Sequence, residues 1–442
     1  MKVLKLIHGY PMRYNAGSEV YTQTLCHGLV RKGHEVQVFT RQENPFMSDY
    51  SIQQEIDILE PAIKLNLVNL PLEKHRYSYR IETVDELFYK TLKKFNPDIV
   101  HIGHLNHLSV SLLTRIPDHI PVIYTLHDYW LLCPRGLFIQ RSPKNPNDVW
   151  ALCSKQDDSQ CAKRCYPGYF SGAIEDRKED TVYWEKWIAR RMAYIKSVLS
   201  KIDYFIAPSV YLLQRYRRDL CIPSEKLVYL DYGFDIKRCK NRQKKLSNRG
   251  LTFGYIGTHI PAKGIQLLIQ AFGKLKGDCQ LKIWGRPRGQ NTAALREFLR
   301  VLPQATQNQI EWLPEYCNTN IVNDVFNHID AIVVPSIWEE NSPLVIHEAQ
   351  QARIPVITAN IGGMAEYVQH KVNGLLFKHR DINSLAATMQ LLLDNPDWAE
   401  QLGSRGYLQS SNGDVPSIED HVFALEQIYE QALCAKGENC YV

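Results

Sequence analysis

Two glutamates with seven residues between them, Glu340 and Glu348, lie in a segment whose pattern indicates a strand, a turn and a helix. The apolar run Ala331–Val334 would form the strand and end at Pro335, and the helix would begin near Pro343, because a first helical turn tolerates proline. Glu340 would then lie in the loop, and Glu348 would lie roughly 7–8 Å along the helix axis. Two carboxylates so placed could accept hydrogen bonds from two hydroxyl-rich parts of one ligand, such as a hexose and a ribose.

The backbone between the two glutamates adds a place for an anion. The N–H groups around Asn341, Ser342, Pro343 and Leu344, at the start of the predicted helix, would have no partner inside the helix and would point at anionic oxygen. A diphosphate between a hexose and a ribose would suit this order of groups. These residues alone leave a second interpretation open, which is an ordinary surface helix with two solvated glutamates.

Glycine-containing turns follow predicted strands in both halves of the chain. In the second half, Gly257 and Thr258 lie in the turn after the strand at 251–256, and Lys263 precedes a helix. Glycine lets the backbone approach a diphosphate, and lysine supplies a point charge. Gly17 occupies the corresponding turn of the first half. A tight turn with a solvated lysine, and a simple helix N-cap at Gly17 and Ser18, are the alternatives.

Two further positions follow predicted strands. His127 comes after the strand at 121–124, and Gly362 with Gly363 comes after the strand at 355–358. Because ligands of open α/β sheets bind at the carboxyl ends of the strands, both positions would face a ligand. A neutral imidazole at His127 could hydrogen-bond a sugar hydroxyl. A structural histidine and a plain loop stay open as alternatives.

Four cysteines lie in a segment with little regular pattern: Cys133, Cys153, Cys161 and Cys165. Four thiolates suit a tetrahedral zinc ion, which would hold together a polar insertion near residues 133–165. The spacings of nineteen, seven and three residues do not match the paired knuckles of common zinc sites. A structural zinc, free thiols and disulfides therefore all stay open.

Aromatic and basic residues are interleaved in two segments, the loop at 74–80 and a predicted helix that contains Trp184, Trp187, Arg190 and Tyr194. Such a helix could contact an anionic membrane surface. The alternative is a helix packed by its tryptophans with its basic face in water.

The composition bounds the class of protein. The 442 residues are 45% hydrophobic and 22% charged, which is enough for two domains with separate cores. The formal net charge of +5 is too small to indicate nucleic-acid binding. No run reaches the roughly 20 apolar residues of a spanning helix, and residues 1–9 lack the apolar core of a signal peptide. We therefore expect a cytoplasmic protein, with peripheral membrane contact left open.

Predicted strands and helices alternate in both halves of the chain. A β-α-β unit covers residues 3–40, and short apolar strands follow at 98–101 and 121–124. A basic stretch at 237–245 without apolar periodicity separates the first half from a second alternation. The second alternation includes strands at 251–256, 331–334 and 374–377 and a helix over 321–328.

We predict an α/β fold of two doubly wound, Rossmann-like domains that face a cleft. The first domain would cover residues 1–240 and the second 241–420, and a C-terminal helix within 421–442 would pack back on the first.

These features together resemble the retaining glycosyltransferases of family 4, which have the two-domain GT-B fold. The resemblance runs over nearly the whole chain and includes the segments 31–36, 126–128 and 232–235. It is strongest from Pro335 through Glu340 and Glu348 to 373–377. The glutamate pair in this setting is a specific signal, whereas the glycine turns are not.

The resemblance implies a role for each part of the site. Glu340 would contact the donor hexose, Glu348 would bind the ribose, and the amides of residues 341–344 would hold sugar and phosphate. Lys263 would neutralise the leaving diphosphate, and His127 would lie beside the sugar.

One position departs from the family pattern. Many members have arginine where this chain has Thr258. Stabilisation of the diphosphate would then rest on Lys263, on helix amides and on Arg286 or Arg288.

The resemblance implies transfer of a hexose from a nucleoside diphosphate sugar, with UDP-glucose or a similar UDP-hexose as the expected donor. The acceptor would be a glycan or a lipid-linked molecule in polysaccharide biosynthesis, and the anomeric configuration would be retained. The chain contains no Asp-x-Asp motif, and the resemblance implies transfer without a metal cofactor. The alternatives are a sugar-nucleotide epimerase, a phosphorylase and a catalytically inactive sugar-nucleotide-binding subunit of a polysaccharide assembly complex.

Overall fold

A computed structural model describes residues 1–71, 78–140, 150–166, 177–244, 250–287 and 290–437. Some predicted features lie partly or wholly outside these ranges: the loop at 74–77, the cysteine-containing insertion at 141–149, the linker residue 245, Arg288 and the C-terminal residues 438–442. Contacts divide the chain into two compact units. Unit 1 comprises Met1–Phe138, Ser154–Phe234 and Ser417–Val442, and unit 2 comprises Ile139–Cys153 and Asp235–Pro416. The sequence places the corresponding boundaries at 240/241 and 420/421.

The strands and helices of the described residues follow in chain order. The strands are β1 (Lys2–Leu6), β2 (Glu35–Gln42), β3 (Ile52–Ile56), β4 (Lys64–Asn69), β5 (Ile99–Ile102), β6 (Val122–Thr125), β7 (Tyr204–Ala207), β8 (Leu227–Tyr229), β9 (Leu251–Ile256), β10 (Cys279–Trp284), β11 (Ile310–Trp312), β12 (Ala331–Val334), β13 (Val356–Ala359) and β14 (Gly374–Phe377). The helices are α1 (Gly17–Arg31), α2 (Glu82–Phe95), α3 (Asp158–Cys165), α4 (Arg177–Val198), α5 (Val210–Leu220), α6 (Ile265–Phe272), α7 (Gln290–Glu297), α8 (Gln304–Gln307), α9 (Ile321–Asp324), α10 (Leu344–Gln351), α11 (Ile382–Asp394), α12 (Trp398–Ser404) and α13 (Ile418–Ala435). Short 3-10 turns cover Ser111–Arg115, Leu199–Lys201, Ser224–Lys226, Ile236–Cys239, Pro261–Lys263, Asn318–Asn320, Phe326–His328 and Gly362–Glu366.

Unit 1 is built on one sheet, whose strand order within the described residues is β3-β4-β2-β1-β5-β6-β7-β8. Neighbouring strands are parallel except for β3 and β4, which are antiparallel. The central strands β5 and β6 are buried along their whole length, as expected when helices cover both faces of a parallel sheet. The predicted doubly wound architecture of the first half is confirmed.

Four strands of unit 1 are absent from the sequence prediction, namely β3, β4, β7 and β8. The edge strand β3 has the sequence Ile-Gln-Gln-Glu-Ile and no buried residue, so it carries little apolar signal. The other edge strand, β8, has only three residues and none of them is buried. Edge strands with solvated side chains give weak sequence patterns because a hydrophobic core does not select their residues.

Unit 2 contains a parallel sheet in the order β11-β10-β9-β12-β13-β14 among the described residues. The second doubly wound half is thus also confirmed, and β9, β12 and β14 have the predicted bounds. The helix predicted over 321–328 is wrong in part. It is interrupted at Val325, whose φ of −127° is not helical, and consists of α9 followed by the 3-10 turn Phe326–His328.

The C-terminal helix α13 belongs to unit 1 and packs there through buried polar side chains. The His421 ring lies 2.8 Å from the Tyr21 hydroxyl, and the Tyr429 hydroxyl lies 2.6 Å from the His101 ring. Gly233 leaves room for this helix, since a Cβ atom there would lie 2.4 Å from the Cβ of His421. None of the helices in the described part of the chain is long and apolar enough to cross a bilayer.

The buried histidines of unit 1 should make the fold acid-sensitive. Burial lowers the pKa of His421 from 6.5 to about 4, and burial likewise lowers the pKa of His101 well below 6.5. Below about pH 6.5 the unfolded chain therefore binds more protons than the folded chain, so the free energy of unfolding decreases as the pH falls toward about 4. We expect a decrease of about 1.4 kcal/mol per pH unit for each such histidine.

Urea unfolding between about pH 7 and pH 5 measures this dependence, because carboxylates of the unfolded chain titrate mainly below that window. The His421→Gln variant should show a shallower pH dependence than the unchanged chain. A free energy of unfolding that stays constant across the window would contradict the prediction.

Candidate functional site

Gly264 brings the turn after β9 against the end of β12. Its φ of +74° lies in the left-handed region, and a Cβ atom at this position would lie 1.9 Å from the Pro335 carbonyl oxygen. A side chain at position 264 would therefore push the two loops apart. Lys263, the last residue of the adjoining 3-10 turn, is held beside the loop that follows β12.

The Gly264→Ala substitution should destabilise unit 2 by about 2–5 kcal/mol, because it combines a left-handed alanine with overpacking. Gly277→Ala is a matched control, since Gly277 also has a positive φ, of +116°, but no atom lies within 4 Å of its Cβ position. Denaturant unfolding measures the free energy of unfolding of both variants. The loss in Gly277→Ala reports the backbone cost alone, and the additional loss in Gly264→Ala reports the clash with Pro335. Equal losses of stability would show that the close approach to Pro335 is unimportant.

Glu340 is buried and accepts hydrogen bonds from two side chains. Lys263 Nζ lies 2.9 Å from each carboxylate oxygen, and the Ser336 hydroxyl donates to Oε1. The Gly363 N–H donates to the Glu340 carbonyl oxygen at 2.8 Å, and a Cβ atom at Gly362 would lie 2.8 Å from the same oxygen. The turn at Gly362 and Gly363 therefore fixes the backbone of Glu340, and the lysine neutralises its carboxylate.

Glu348 lies in the second turn of α10, is buried, and forms an ion pair with Arg238. Burial alone would lower the pKa of Arg238, but Glu348 and three weaker negative partners, Cys239, Tyr316 and Asp235, together outweigh burial and raise that pKa above its usual value. Arg238 therefore stays charged inside unit 2. Each of the two glutamates singled out by the sequence thus lies against a cation.

The start of α10 lies between the two carboxylates in the sequence. The helix begins at Leu344, one residue after Pro343, which is the N-cap residue and makes no side-chain capping bond. The Ser342 hydroxyl is buried and has no hydrogen-bond partner within the part of the chain that the structure describes. Glu348 follows roughly 6 Å along the axis from the first helical residue. A short segment therefore carries, in chain order, the Ser342 hydroxyl, the N–H donors at the start of α10 and the Glu348 carboxylate. Asn341 directly precedes this segment.

The turns after β9 and β10 pack closely. A Cβ atom at Gly285 would lie 1.9 Å from the Gly257 carbonyl oxygen, and the Thr258 carbonyl accepts a hydrogen bond from the Ile260 N–H at 2.8 Å. Arg286, which the sequence offers as a substitute for arginine at position 258, forms an ion pair with Glu315 at 2.9 Å. Arg288 lies outside the described residues.

In unit 1, His127 follows β6, and its Nδ1 lies 2.6 Å from the Tyr232 hydroxyl. The ring stacks on Tyr232 with centroids 5.6 Å apart and meets Tyr21 edge-on at 5.3 Å. Burial, with a smaller contribution from the charge on Lys5, lowers the pKa of His127 well below its usual value. The imidazole is therefore neutral at pH 7, which suits a group that hydrogen-bonds a sugar hydroxyl.

Gly17 is the first residue of α1, and Ala16 is the N-cap residue, without a side-chain capping bond. The Ser18 hydroxyl donates to the Glu19 carboxylate at 2.8 Å, and His8 lies 3.3 Å from that carboxylate. Ser18 therefore does not cap α1. The prediction that Gly17 and Ser18 form the N-cap is wrong, because the N-cap residue is Ala16.

The four cysteines of the predicted zinc site have different surroundings. Cys161 and Cys165 lie on α3 and pack against the apolar cluster around Trp184 in unit 1. Cys133 is buried in unit 1, and Cys153 belongs to unit 2. The described residues contain no group of three or more His, Cys, Asp or Glu side chains placed to hold one metal ion. The structural zinc stays a prediction from the sequence.

Comparison with known families decides what class of protein carries this site. The family described as "Glycosyltransferase Family 4" matches residues 16–238, just over half of the chain. The family described as "Glycosyl transferases group 1" matches residues 237–409. The chain belongs to the glycosyltransferases of the family 4 type. The two matched segments meet next to the junction of units 1 and 2, so each unit of this glycosyltransferase corresponds mainly to one family domain.

Two curated relatives of this glycosyltransferase align over only about half to three fifths of their own length. An uncharacterized glycosyltransferase of Haemophilus influenzae is 27% identical over 40% of this chain and 49% of its own. The capsular polysaccharide biosynthesis glycosyltransferase CapM of Staphylococcus aureus is 24% identical over 50% of this chain and 61% of its own. The alignments thus span about half to three fifths of these relatives.

Solved structures share the fold of the glycosyltransferase over its whole length. The sucrose-phosphate synthase of Thermosynechococcus elongatus superimposes with a TM-score of 0.70 at 19% identity, covering 98% of this chain and 99% of that chain. The Anabaena protein HepE, solved in complex with UDP-glucose, superimposes with a TM-score of 0.64 at 17% identity, covering 98% of this chain and 100% of that chain. These likenesses confirm the GT-B fold.

Three groups of the glycosyltransferase site were missed by sequence reasoning. Arg238 pairs with Glu348, and the Ser336 hydroxyl donates to Glu340. The half-buried Tyr316 lies close enough to Glu348 for that carboxylate to add to the effect of burial in raising the pKa of Tyr316. Arg238 lies in the basic stretch assigned to the linker. Local patterns do not distinguish a solvated arginine from one that pairs with a glutamate 110 residues further along the chain.

Proposed function

We propose that this glycosyltransferase transfers a hexose from a UDP-hexose to a glycan or lipid-linked acceptor in polysaccharide biosynthesis, with retention of the anomeric configuration. The observation that carries the proposal is the pair of buried carboxylates in unit 2, each held against a cation and joined by the start of α10. This combination offers hydroxyl acceptors at two points and anion-binding groups between them. The complex of HepE with UDP-glucose supports the donor class by its shared fold.

We assign the donor to the described groups as follows. Glu348 accepts hydrogen bonds from the ribose hydroxyls, and Glu340 accepts them from the hexose. The N–H groups at the start of α10 and the ammonium of Lys263 bind the diphosphate, because a helix start and a cation both favour anionic oxygen. When the donor binds, the Lys263 ammonium exchanges part of its interaction with Glu340 for phosphate oxygen.

The barrier to transfer is charge separation. As the bond between the anomeric carbon and the phosphate oxygen breaks, positive charge grows on the sugar ring and negative charge grows on the leaving UDP. In this proposal Lys263 and the amides at the start of α10 meet that negative charge as it grows, so they stabilise the transition state more than the ground state. The carboxylate of Glu340 is neutralised by Lys263 and is not assigned as a nucleophile.

The acceptor oxygen forms the new bond to the anomeric carbon on the face that the diphosphate leaves. Its proton passes to an oxygen of the leaving diphosphate, so the step needs no protein base and no metal ion. The configuration at the anomeric carbon is then retained. The predicted roles of Gly17 at the diphosphate and of neutral His127 at the sugar belong to this proposal.

The nature of the acceptor is supported by similarity alone. CapM carries a capsular polysaccharide biosynthesis name, and a D-inositol 3-phosphate glycosyltransferase of Corynebacterium glutamicum is 22% identical over 88% of this chain. The first name describes a role in capsular polysaccharide biosynthesis, and the second describes a glycosyltransferase for D-inositol 3-phosphate. An inactive sugar-nucleotide-binding subunit is the competing function, and the Thr258 departure from the family pattern is its only support.

A transfer assay with UDP-glucose tests the proposal. The enzyme is incubated with the donor and a mixed pool of glycan and lipid-linked acceptors, and UDP release and the anomeric proton signal of the product are recorded. We expect acceptor-dependent UDP release and a product with the donor's α configuration. Binding of UDP-glucose without transfer to any acceptor would favour the inactive subunit, and a β-linked product would contradict retention.

A further inference from the structure

Unit 1 contains a cavity of about 570 Å³. Its lining does not include Glu340, Glu348 or His127. Its walls come from three elements, namely the first turns of α2, the 3-10 turn Ser111–Arg115, and one face of α4. The volume lies within the range of roughly 300–1,000 Å³ that small-molecule sites occupy. The described end of the basic, aromatic loop, residues 78–80, also lines it. The two aromatic and basic segments of the sequence therefore meet at one cavity.

One wall is formed by a single face of α4. Trp187, Arg190 and Tyr194 are spaced by three and four residues, so they project from the same side of the helix. The other residues of this motif point elsewhere, since Trp184 is buried in an apolar cluster and the buried Arg191 donates to the Trp130 carbonyl oxygen at 2.6 Å. Helix α4 thus has one face that packs inside unit 1 and one face that lines the cavity.

Aromatic rings and guanidinium groups alternate around the opening. The Tyr79 ring meets Trp187 edge-on at 5.6 Å and lies 6.1 Å from Tyr194. The Arg80 guanidinium lies 4.4 Å from the Tyr194 ring centroid. Half-buried aromatic rings offer flat apolar surface of the kind on which the apolar face of a sugar ring packs.

Three exposed arginines carry the positive charge of the cavity: Arg80, Arg115 and Arg190. Glu82 and Asp85 also line it, so the arginines exceed the carboxylates by one charge. Arginine stays protonated at all relevant pH values and binds carboxylate or phosphate through two parallel hydrogen bonds. An anionic group on a ligand would therefore be favoured at the opening.

The lining of the cavity includes a buried acceptor. Asp85 is only 4% exposed, and its Oδ2 accepts a hydrogen bond from the Ser111 hydroxyl at 2.5 Å. Its other oxygen, Oδ1, is buried and accepts no hydrogen bond among the residues that the structure describes, although the Ser109 hydroxyl lies close enough to the carboxylate to oppose the rise in its pKa that burial causes. A buried carboxylate oxygen without a donor is costly, and a ligand hydroxyl would satisfy it.

The topology places this cavity on the side of the sheet where ligands of such folds bind. Helix α2 connects the parallel strands β4 and β5, so its first turn lies toward the carboxyl ends of the strands of unit 1. His127 follows β6 at the same edge.

We propose that the cavity lined by Asp85, Arg115, Arg190 and Trp187 binds an acidic saccharide, with a hydroxyl on Asp85, the ring on the aromatic side chains, and a carboxylate or phosphate on the arginines. The inference names an acceptor class and rests on the proposed transfer to a glycan. A growing polysaccharide that carries acidic sugars would be held here while another part of it receives the hexose.

Titration calorimetry on the full chain without any nucleotide sugar tests this binding. The probes are a glucuronate-containing disaccharide, the same disaccharide with its carboxylate reduced to an alcohol, a disaccharide phosphate, and inorganic phosphate. We expect at least one of the two acidic saccharides to bind at least tenfold more tightly than the neutral disaccharide and than inorganic phosphate. The relative affinity of the two acidic saccharides identifies the preferred anionic group.

Variants locate the site. Arg115→Gln and Arg190→Gln should each lower the affinity for the acidic saccharide at least tenfold, and Asp85→Asn should lower the affinity for the acidic and neutral disaccharides alike. Arg300→Gln is the charge-matched control, because Arg300 is an exposed arginine of unit 2, and it should leave both affinities unchanged. The melting temperature of each variant shows whether it is folded. If Asp85→Asn does not fold, the two arginine variants still test the proposal.

Four results would overturn the inference. They are equal affinity for the acidic and neutral disaccharides, equal affinity for inorganic phosphate and the acidic saccharide, an equal loss in Arg300→Gln, and binding to phosphatidylglycerol vesicles that depends on Arg115 while no saccharide binds. UDP-glucose is titrated separately. A chain that binds UDP-glucose but no acidic saccharide loses this inference alone, whereas a chain that binds the saccharide but no nucleotide sugar loses the proposed donor site.

Discussion

Replacing Lys263 by alanine should lower the turnover number about 100- to 1,000-fold, the usual cost of removing one pre-aimed stabilising group from a transition state. Lys263 is the cation next to Glu340, and it is held there by a glycine that no other residue can replace without a clash. Without it, negative charge on the leaving diphosphate would meet only helix amides and whatever water enters. UDP release at saturating donor and acceptor measures the effect.

Part of the loss could come from Glu340, which the substitution would leave buried without its cation. The double variant Lys263→Ala/Glu340→Gln removes that charge, and it should remain close to Lys263→Ala in turnover. Lys282→Ala is a matched control, because Lys282 pairs with Glu311 on a neighbouring strand of the same sheet. Near-normal turnover of Lys263→Ala would remove Lys263 from the mechanism.

The Glu348→Leu substitution should abolish measurable binding of UDP and lower the free energy of unfolding by about 3–5 kcal/mol. The stability loss arises because the Arg238 side chain, which is only 13% exposed, would stay charged without its carboxylate. The binding loss arises because the ribose hydroxyls would face leucine in place of an acceptor. Calorimetric titration with UDP and denaturant unfolding measure the two effects separately.

A second substitution separates them within one chain. In Glu348→Leu/Arg238→Met both members of the ion pair become apolar, so most of the stability should return, while UDP binding should stay lost. Glu311→Leu, at an exposed glutamate of β11, controls for loss of a carboxylate elsewhere in unit 2. A double variant that binds UDP like the unchanged chain would exclude Glu348 from nucleotide binding.

Much of the candidate site in unit 2 could be predicted from local sequence because its residues follow strands. The strand at Ala331–Val334, the loop that carries Glu340 and the helix that carries Glu348 all lie within a single stretch of chain. The pattern of apolar runs also places Gly257 and Lys263 at the end of another strand of that sheet. Since the carboxyl ends of parallel strands lie at one edge, these separate turns are brought to one edge of unit 2.

The features that could not be predicted depend on contacts between distant parts of the chain. Arg238 looks like a linker residue in the sequence, yet it pairs with Glu348. Asp85 looks like an ordinary acidic residue in the first turn of a helix, yet it is buried beside Ser111. Burial and pairing of this kind are set by tertiary packing, which hydrophobic periodicity in one segment does not report.

The central claim is that unit 2 binds a nucleoside diphosphate sugar through Glu340, Glu348 and Lys263. Heat unfolding of the full chain at increasing UDP-glucose concentration tests it most directly, because a ligand that binds only the folded state stabilises it by about 2.7 kcal/mol at 100 times its Kd. We predict a melting temperature that rises with donor concentration in the unchanged chain and stays constant in Glu348→Leu. A melting temperature unaffected by saturating concentrations of every common nucleotide sugar would contradict the claim.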